Sequence, residues 1–260
     1  MEQVTKDMPI KKMALLLADV AVSLISNGAN STRTKRNVLR IANAYGYQAE
    51  VFFSYSGVVI SVQQPHEVHT ETIVKSIPAH GINFNLISDI SILSWDITAQ
   101  TPSYPEIAQR LHYIKTKPTY SQTTKMLFIG IATASLVKIF SGSYLEFIVV
   151  FLASCVGFWV KNQLHKKHYN IFTTTLISAF VTVSMVKIAI LLGLKDHYAA
   201  MTSCILWLIP GVPLINGFLD LLEGHIVSGW AKAALGGMLI FMIAVGYYLS
   251  LFVFRVTYGV

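Results

Sequence analysis

The sequence predicts an α-helical membrane protein of about five transmembrane helices with an N-terminal cytoplasmic α+β domain, and three observations predict it. Of the 260 residues, 53% are hydrophobic and 13% charged, where soluble domains carry about 25% charged residues. The charge is uneven: residues 1–120 hold 11 Lys/Arg and 9 Asp/Glu, whereas residues 121–260 hold 9 and 4. The charge-poor part contains several apolar runs with short polar breaks, each near the 17–25 residues or so that cross a bilayer as a helix. The expected organisation is a cytoplasmic α+β domain over 1–120 and a transmembrane domain over 121–260.

In the first part, Met13, Leu16, Leu17, Val20 and Leu24 recur at helical spacing within 8–26, and Asn27-Gly28 supplies the stop. Asn30 or Ser31 caps a second helix that places Val38, Ile41 and Tyr45 on one face and leaves Arg33, Lys35, Arg36 and Arg40 exposed, ending at Gly46. Residues 50–62 are rich in β-branched and aromatic side chains and are interrupted by Ser56-Gly57, which predicts two strands and a tight turn. A further short strand is expected near 70–75. Helices are expected over 84–99 and 104–116, the second entered through Pro105 at a favourable first-turn position.

Five spans are drawn in the second part: 123–141, 143–161, 169–194, 197–222 and 231–253. The apolar stretch 126–140 is short for a hydrocarbon core of about 30 Å, so the first two segments are either full spans or a re-entrant pair. Lys115, Lys117, Lys125, Lys161, Lys166, Lys167 and Lys232 fall on one side, against Lys138, Lys195 and Arg255 on the other. That imbalance predicts the N-terminus inside and the C-terminus outside. The opening Met1-Glu2-Gln3-Val4-Thr5-Lys6-Asp7 lacks the basic-then-apolar order of a cleavable signal peptide, in keeping with a cytoplasmic N-terminus. The small pairs Ala153/Gly157 and Ala233/Gly237 would let helices approach closely.

Composition excludes several classes. The net charge of +7 is dispersed, with no basic face interleaved with aromatics, which argues against nucleic-acid binding. Cys155 and Cys204 sit in apolar runs and read as packing residues. His66, Glu67, His69 and Glu71 form a polar turn that falls short of a metal site, and His165-Lys166-Lys167-His168 reads as a solvated loop. No phosphate-binding glycine loop or nucleophile elbow is present, and neither a cofactor nor a metal is expected.

The features that carry chemistry lie in the apolar part. Lys138, Lys187 and Asp220 are ionisable groups in or bordering spans, each costing about 2.5–3.5 kcal/mol at a helix centre, so partners or an aqueous cavity are required. Lys138 sits at an outer end and is expected to snorkel; Asp220 either reaches the inner interface or has a role in transport. Pro210-Gly211-Val212-Pro213 falls in the middle of the fourth span, where two prolines should unwind the helix before a new N-terminus begins near Leu214. Broken helices of this kind hold substrate carboxylates on freed N–H groups, although a packing kink is the plainer alternative.

Two segments also resemble a known family. Gly28-Ala29-Asn30-Ser31-Thr32-Arg33 leading to Ala44-Tyr45-Gly46, and the run from Ile209 through Pro210-Gly211-Val212-Pro213 and Asn216 to Asp220, Glu223 and His225, resemble the threonine/serine exporter family, in its stand-alone N-terminal-half type. The resemblance implies proton-driven export of a small amino or carboxylic acid, either threonine/serine or a dicarboxylate such as succinate, across the bacterial inner membrane. It further implies a separately encoded small partner subunit of four to five spans. On the residues, Pro210, Gly211, Pro213, Asn216 and Lys187 are the candidate substrate-binding set, and Asp220 and Glu223 the candidate proton-coupling groups. The rival expectation is a membrane-anchored regulatory or scaffold protein whose N-terminal domain binds a cytoplasmic ligand or partner.

Overall fold

A computed structural model describes residues 8–65, 69–78, 81–194 and 198–258. Expectations resting on residues 1–7, on His66 and Glu67, and on Lys195 lie outside the described residues. Contacts divide the chain into two compact units, Met1–Pro118 with Gly211–Leu235, and Thr119–Pro210 with Gly236–Val260.

The first unit opens with α1 (Ile10–Ser26) and α2 (Ser31–Ala44). Met13, Leu16, Leu17, Val20 and Leu24 are all buried in its core, as their spacing predicts. Gly28 ends α1 with φ +97°, a left-handed conformation that favours glycine. Asn30 caps α2, its side chain accepting from the Arg33 backbone N–H at 2.8 Å. Replacing Asn30 by Ala is expected to lower the unfolding free energy by about 1 kcal/mol, read as a lower melting temperature.

Strands β1 (Gln48–Phe53), β2 (Gly57–Gln63) and β3 (Thr70–Ser76) form an antiparallel sheet in the order β1-β2-β3. Phe53 pairs with Val58 across the first turn, and Gly57 with Ser76 across the second ladder. Alternate residues Val58, Ile60 and Val62 are fully buried, and β2 packs on α1. Helices α3 (Phe84–Gln100) and α4 (Tyr104–Thr116) complete the α+β core. Tyr45 donates its hydroxyl to the Pro102 carbonyl. Burial, with the Glu106 carboxylate adding to it, pushes its phenol up to about 12.

The expectation that all four basic residues of α2 are exposed holds for Lys35 and Arg36 only. Arg33 and Arg40 are half-buried because α3 offers them partners. Arg33 donates to Ser91 Oγ at 3.3 Å and Arg40 to Ser94 Oγ at 2.7 Å, while the Arg40 guanidinium lies 3.7 Å from the Trp95 ring centre.

The second unit contains α5 (Gln122–Ile139), α6 (Tyr144–Lys166), α7 (Ile171–Leu191) and the short α8 (Tyr198–Ser203), followed by a 3-10 turn over Leu206–Leu208. Two further helices, α9 (Gly211–Leu222) and α10 (Ile226–Tyr258), follow; α9 and the start of α10 group with the first unit. Among the described residues three helices, α6, α7 and α10, are long and apolar enough to cross a membrane, and the broken segment Tyr198–Leu208 with Gly211–Leu222 makes a fourth if counted as one span. Helix α5 forms where a span was expected, but its 18 residues reach about 27 Å at about 1.5 Å each.

Several polar groups inside this unit are met by hydrogen bonds. Thr174, Ser178 and Thr182 of α7 each donate to the carbonyl four residues earlier, at 2.7–2.9 Å. Glu146 is buried at the start of α6, where it takes the Ser143 N–H at 2.7 Å and the Ala200 N–H at 3.0 Å. Lys138 is exposed at the end of α5, its amine donating to Gly142 O at 2.8 Å beside the Tyr144 ring. The pair Ala153/Gly157 is a true close approach, since a Cβ at Gly157 would lie 2.0 Å from Thr182 Oγ1.

Candidate functional site

Residues 209 and 210 are not helical, and a new helix begins directly after them. Helix α9 begins at Gly211, before the expected Leu214, because Pro213 falls in its first turn, where a missing N–H costs nothing. Pro210 is buried immediately ahead of the helix, and Gly211 and Pro213 are half-buried.

From that start, α9 carries Asn216 and Asp220 one turn apart on one face. The Asn216 amide donates to the Gly28 carbonyl at 2.8 Å, fixing the α1–α2 turn against α9. A Cβ at Gly28 would already lie 3.3 Å from Val212, so this turn and the first turn of α9 are in close contact.

Asp220 is fully buried and receives four hydrogen bonds. Its Oδ1 accepts the Ser31 backbone N–H at 2.9 Å. Its Oδ2 accepts the Ser31 hydroxyl at 2.7 Å, the Ser228 hydroxyl at 2.8 Å and the Lys232 ammonium at 2.6 Å. Ser31 is the first residue of α2, so the carboxylate sits on the positive end of that helix and uses one of its otherwise unpaired donors. Lys232 is itself almost wholly buried and lies 3.5 Å from Ser31 Oγ.

The hairpin between α9 and α10 sets this alignment. Gly224, at φ +84°, turns the chain, and His225 N–H closes it onto the Asp220 carbonyl at 2.8 Å. Asp220 and Ser228 lie four residues before and after Gly224, so they face each other, and Lys232 follows one turn later with a stem long enough to reach back. The helices touch directly: a Cβ at Gly217 would lie 2.8 Å from Ala233 N, and one at Gly229 would lie 2.8 Å from Leu221 N.

The sequence-predicted residues therefore divide. Asn216 and Asp220 both meet the Gly28–Ser31 segment, Asn216 through the Gly28 carbonyl and Asp220, near the end of α9, through Ser31. Glu223 is exposed just past the end of that helix. Lys187 is half-buried on α7 in the other unit, with no ion pair or hydrogen bond to a described residue. Sequence reasoning missed Ser31, Ser228 and Lys232. Their signal was present in the symmetric spacing around Gly224 and in the Gly28–Arg33 segment, which supplies the cap that meets Asp220. Among the described residues no group of three or more His, Cys, Asp or Glu could hold a metal.

The two segments that build this cluster both lie within the region, residues 16–254, that matches the family described as "Putative threonine/serine exporter". The chain belongs to the threonine/serine exporter family. Its similarity to curated members extends over nearly the whole length. It is 26% identical to the "Probable succinate transporter subunit YjjP" of Klebsiella aerogenes over 234 residues, 89% of this chain and 90% of the relative. It is 23% identical to the protein of the same description from Escherichia coli K12 over 231 residues, 88% and 89% of the two chains. No solved structure matches the chain. Membership in this exporter family, together with the apolar helices, makes the chain a membrane transport protein and not an enzyme.

Proposed function

We propose that the chain is one subunit of a secondary exporter of small amino or carboxylic acids, driven by the proton gradient and completed by a small membrane partner. In this reading five helical segments enter the bilayer and the N-terminus is cytoplasmic. The relatives described as succinate transporter subunits support a dicarboxylate and a partner; the family description supports threonine or serine.

The observation that carries the reading is the buried Asp220–Lys232 pair on the N-terminus of α2, carried by the helix that follows the break. The amides of Gly211 and Val212, unpaired because they open α9, face the substrate anion. Asn216 acts as a positioning residue through Gly28. A proton reaching Asp220, with Glu223 at the exposed approach, removes the charge that holds Lys232 and the Ser31 end of α2. The latch then opens and the broken helix is free to move.

The test is efflux of preloaded labelled threonine, serine and succinate from cells expressing the chain with and without the partner, with and without an uncoupler. Uncoupler-sensitive efflux of one of these acids, only when both proteins are present, is the expected result. Absence of efflux of all three, with both proteins in the membrane, overturns the reading in favour of a regulatory or scaffold protein.

A further inference from the structure

A second polar constellation lies within the other unit, where α6 meets the segment after α8. Ser154 Oγ, Ser203 Oγ and Trp207 Nε1 are buried and have no hydrogen-bond partner among the described residues. This is unusual for its setting. Thr174, Ser178 and Thr182 on the neighbouring helix satisfy themselves on carbonyls one turn back, a bond open to any helical serine, yet Ser154 does not make it. Buried donors without partners are rare enough in proteins that each calls for a cause.

The geometry around Gly157 brings one of these groups to a cation and sets a second on the same helix face. A Cβ at Gly157 would lie 3.0 Å from Trp207 Cζ2, the ring carbon two bonds from Nε1, so the N–H edge of the indole lies against α6 at that point. Ser154 is one turn away on the same helix face and fully buried. Lys161, one turn further in the other direction, holds its ammonium 5.4 Å from the centre of the Trp207 ring. Ser203 closes α8, which packs against α6. Indole N–H and ammonium are donors only, and both hydroxyls are free to donate. The group that satisfies such a set is an anion with several lone pairs.

Resting on the exporter reading above, we infer that Trp207, Ser154 and Lys161 form a binding subsite for a carboxylate group of the exported acid. Lys161 supplies the charge, the indole N–H and Ser154 hydroxyl supply direction, and a side chain at Gly157 would press on both Thr182 and the ring.

The test uses the full chain labelled with 5-fluorotryptophan, purified in detergent and observed by 19F NMR, with Trp207→Phe assigning the Trp207 resonance. Succinate, threonine and serine are titrated separately, each against the amide that lacks its carboxylate. The inference expects the Trp207 signal to shift saturably with at least one acid and not with its amide. Lys161→Met and Ser154→Ala should each weaken that binding about tenfold or more, as expected for losing a hydrogen bond to a charged group. Ser154→Ala should leave the melting temperature of the free protein unchanged or raised, because it deletes an unpartnered hydroxyl. A Trp207 signal unmoved by all three acids overturns the inference, and so does a Ser154→Ala protein that melts lower while binding normally. Efflux with a silent Trp207 signal refutes this subsite and leaves the exporter reading standing; a responsive signal without efflux does the reverse.

Discussion

Asp220→Ala is expected to lower the stability of the first unit by about 3–5 kcal/mol, the cost typical of breaking a buried pair and leaving one charge uncompensated. The charge left behind is Lys232, almost wholly buried, with Ser31 Oγ at 3.5 Å. Asp220 also takes the Ser31 N–H that opens α2, so the substitution frees a helix end as well as a lysine. Lys232→Met should cost less on its own, because the two serine hydroxyls and the Ser31 N–H still satisfy the carboxylate. Combining both changes should recover part of the loss, since no uncompensated charge then stays buried. The measurement is the melting temperature of the four proteins in one detergent, read as a double-mutant cycle, with efflux beside it. Additive losses would show that the pair does not act as a unit.

Gly217→Ala is the second large expected effect. The added Cβ would meet backbone, Ala233 N at 2.8 Å and Gly229 O at 3.1 Å, and backbone has no rotamer with which to yield. The hairpin of α9 and α10 must separate, at a cost of about 1–3 kcal/mol for overpacking. Separation draws Asp220 on one helix from Ser228 and Lys232 on the other, so efflux should fall along with stability. Gly237→Ala is the matched control, because a Cβ there meets nothing within 4 Å. It should melt at or above the wild-type temperature. Equal effects at the two glycines would refute the assigned contact.

These sites show which parts of the molecule the sequence made legible. Helix α1 and strand β2 were readable because each buries one face, so their apolar residues recur at 3.6 and 2 residues. Arg33 and Arg40 were misjudged because their partners, Ser91, Ser94 and Trp95, lie more than 50 residues away on α3, and local periodicity carries no information about a neighbouring helix. Proline chemistry located the break, but the unwound stretch was expected to run through Pro213 to a new N-terminus near Leu214. Pro213 lies in the first turn of α9, so the helix starts three residues early. Asp220 stood out as a charge in an apolar run, and that signal is local. Its partners are not local: Ser31 is 189 residues distant, and Lys232 read as one more cytoplasmic lysine. The small pair at Ala233 was likewise half right. Ala233 meets Gly217 on α9, whereas Gly237 faces open space.

The central claim is that the Asp220–Lys232 latch couples the proton gradient to export. It is tested most directly in proteoliposomes holding the chain and its partner, loaded with the acid that efflux identifies. Substrate exchange is measured at equal pH, and net export under an imposed pH gradient, for the wild-type protein and for Asp220→Asn/Lys232→Met. The account predicts that the gradient accelerates wild-type export several-fold, while the double variant retains exchange and shows no acceleration. A double variant that still responds to the gradient as the wild type does would contradict it.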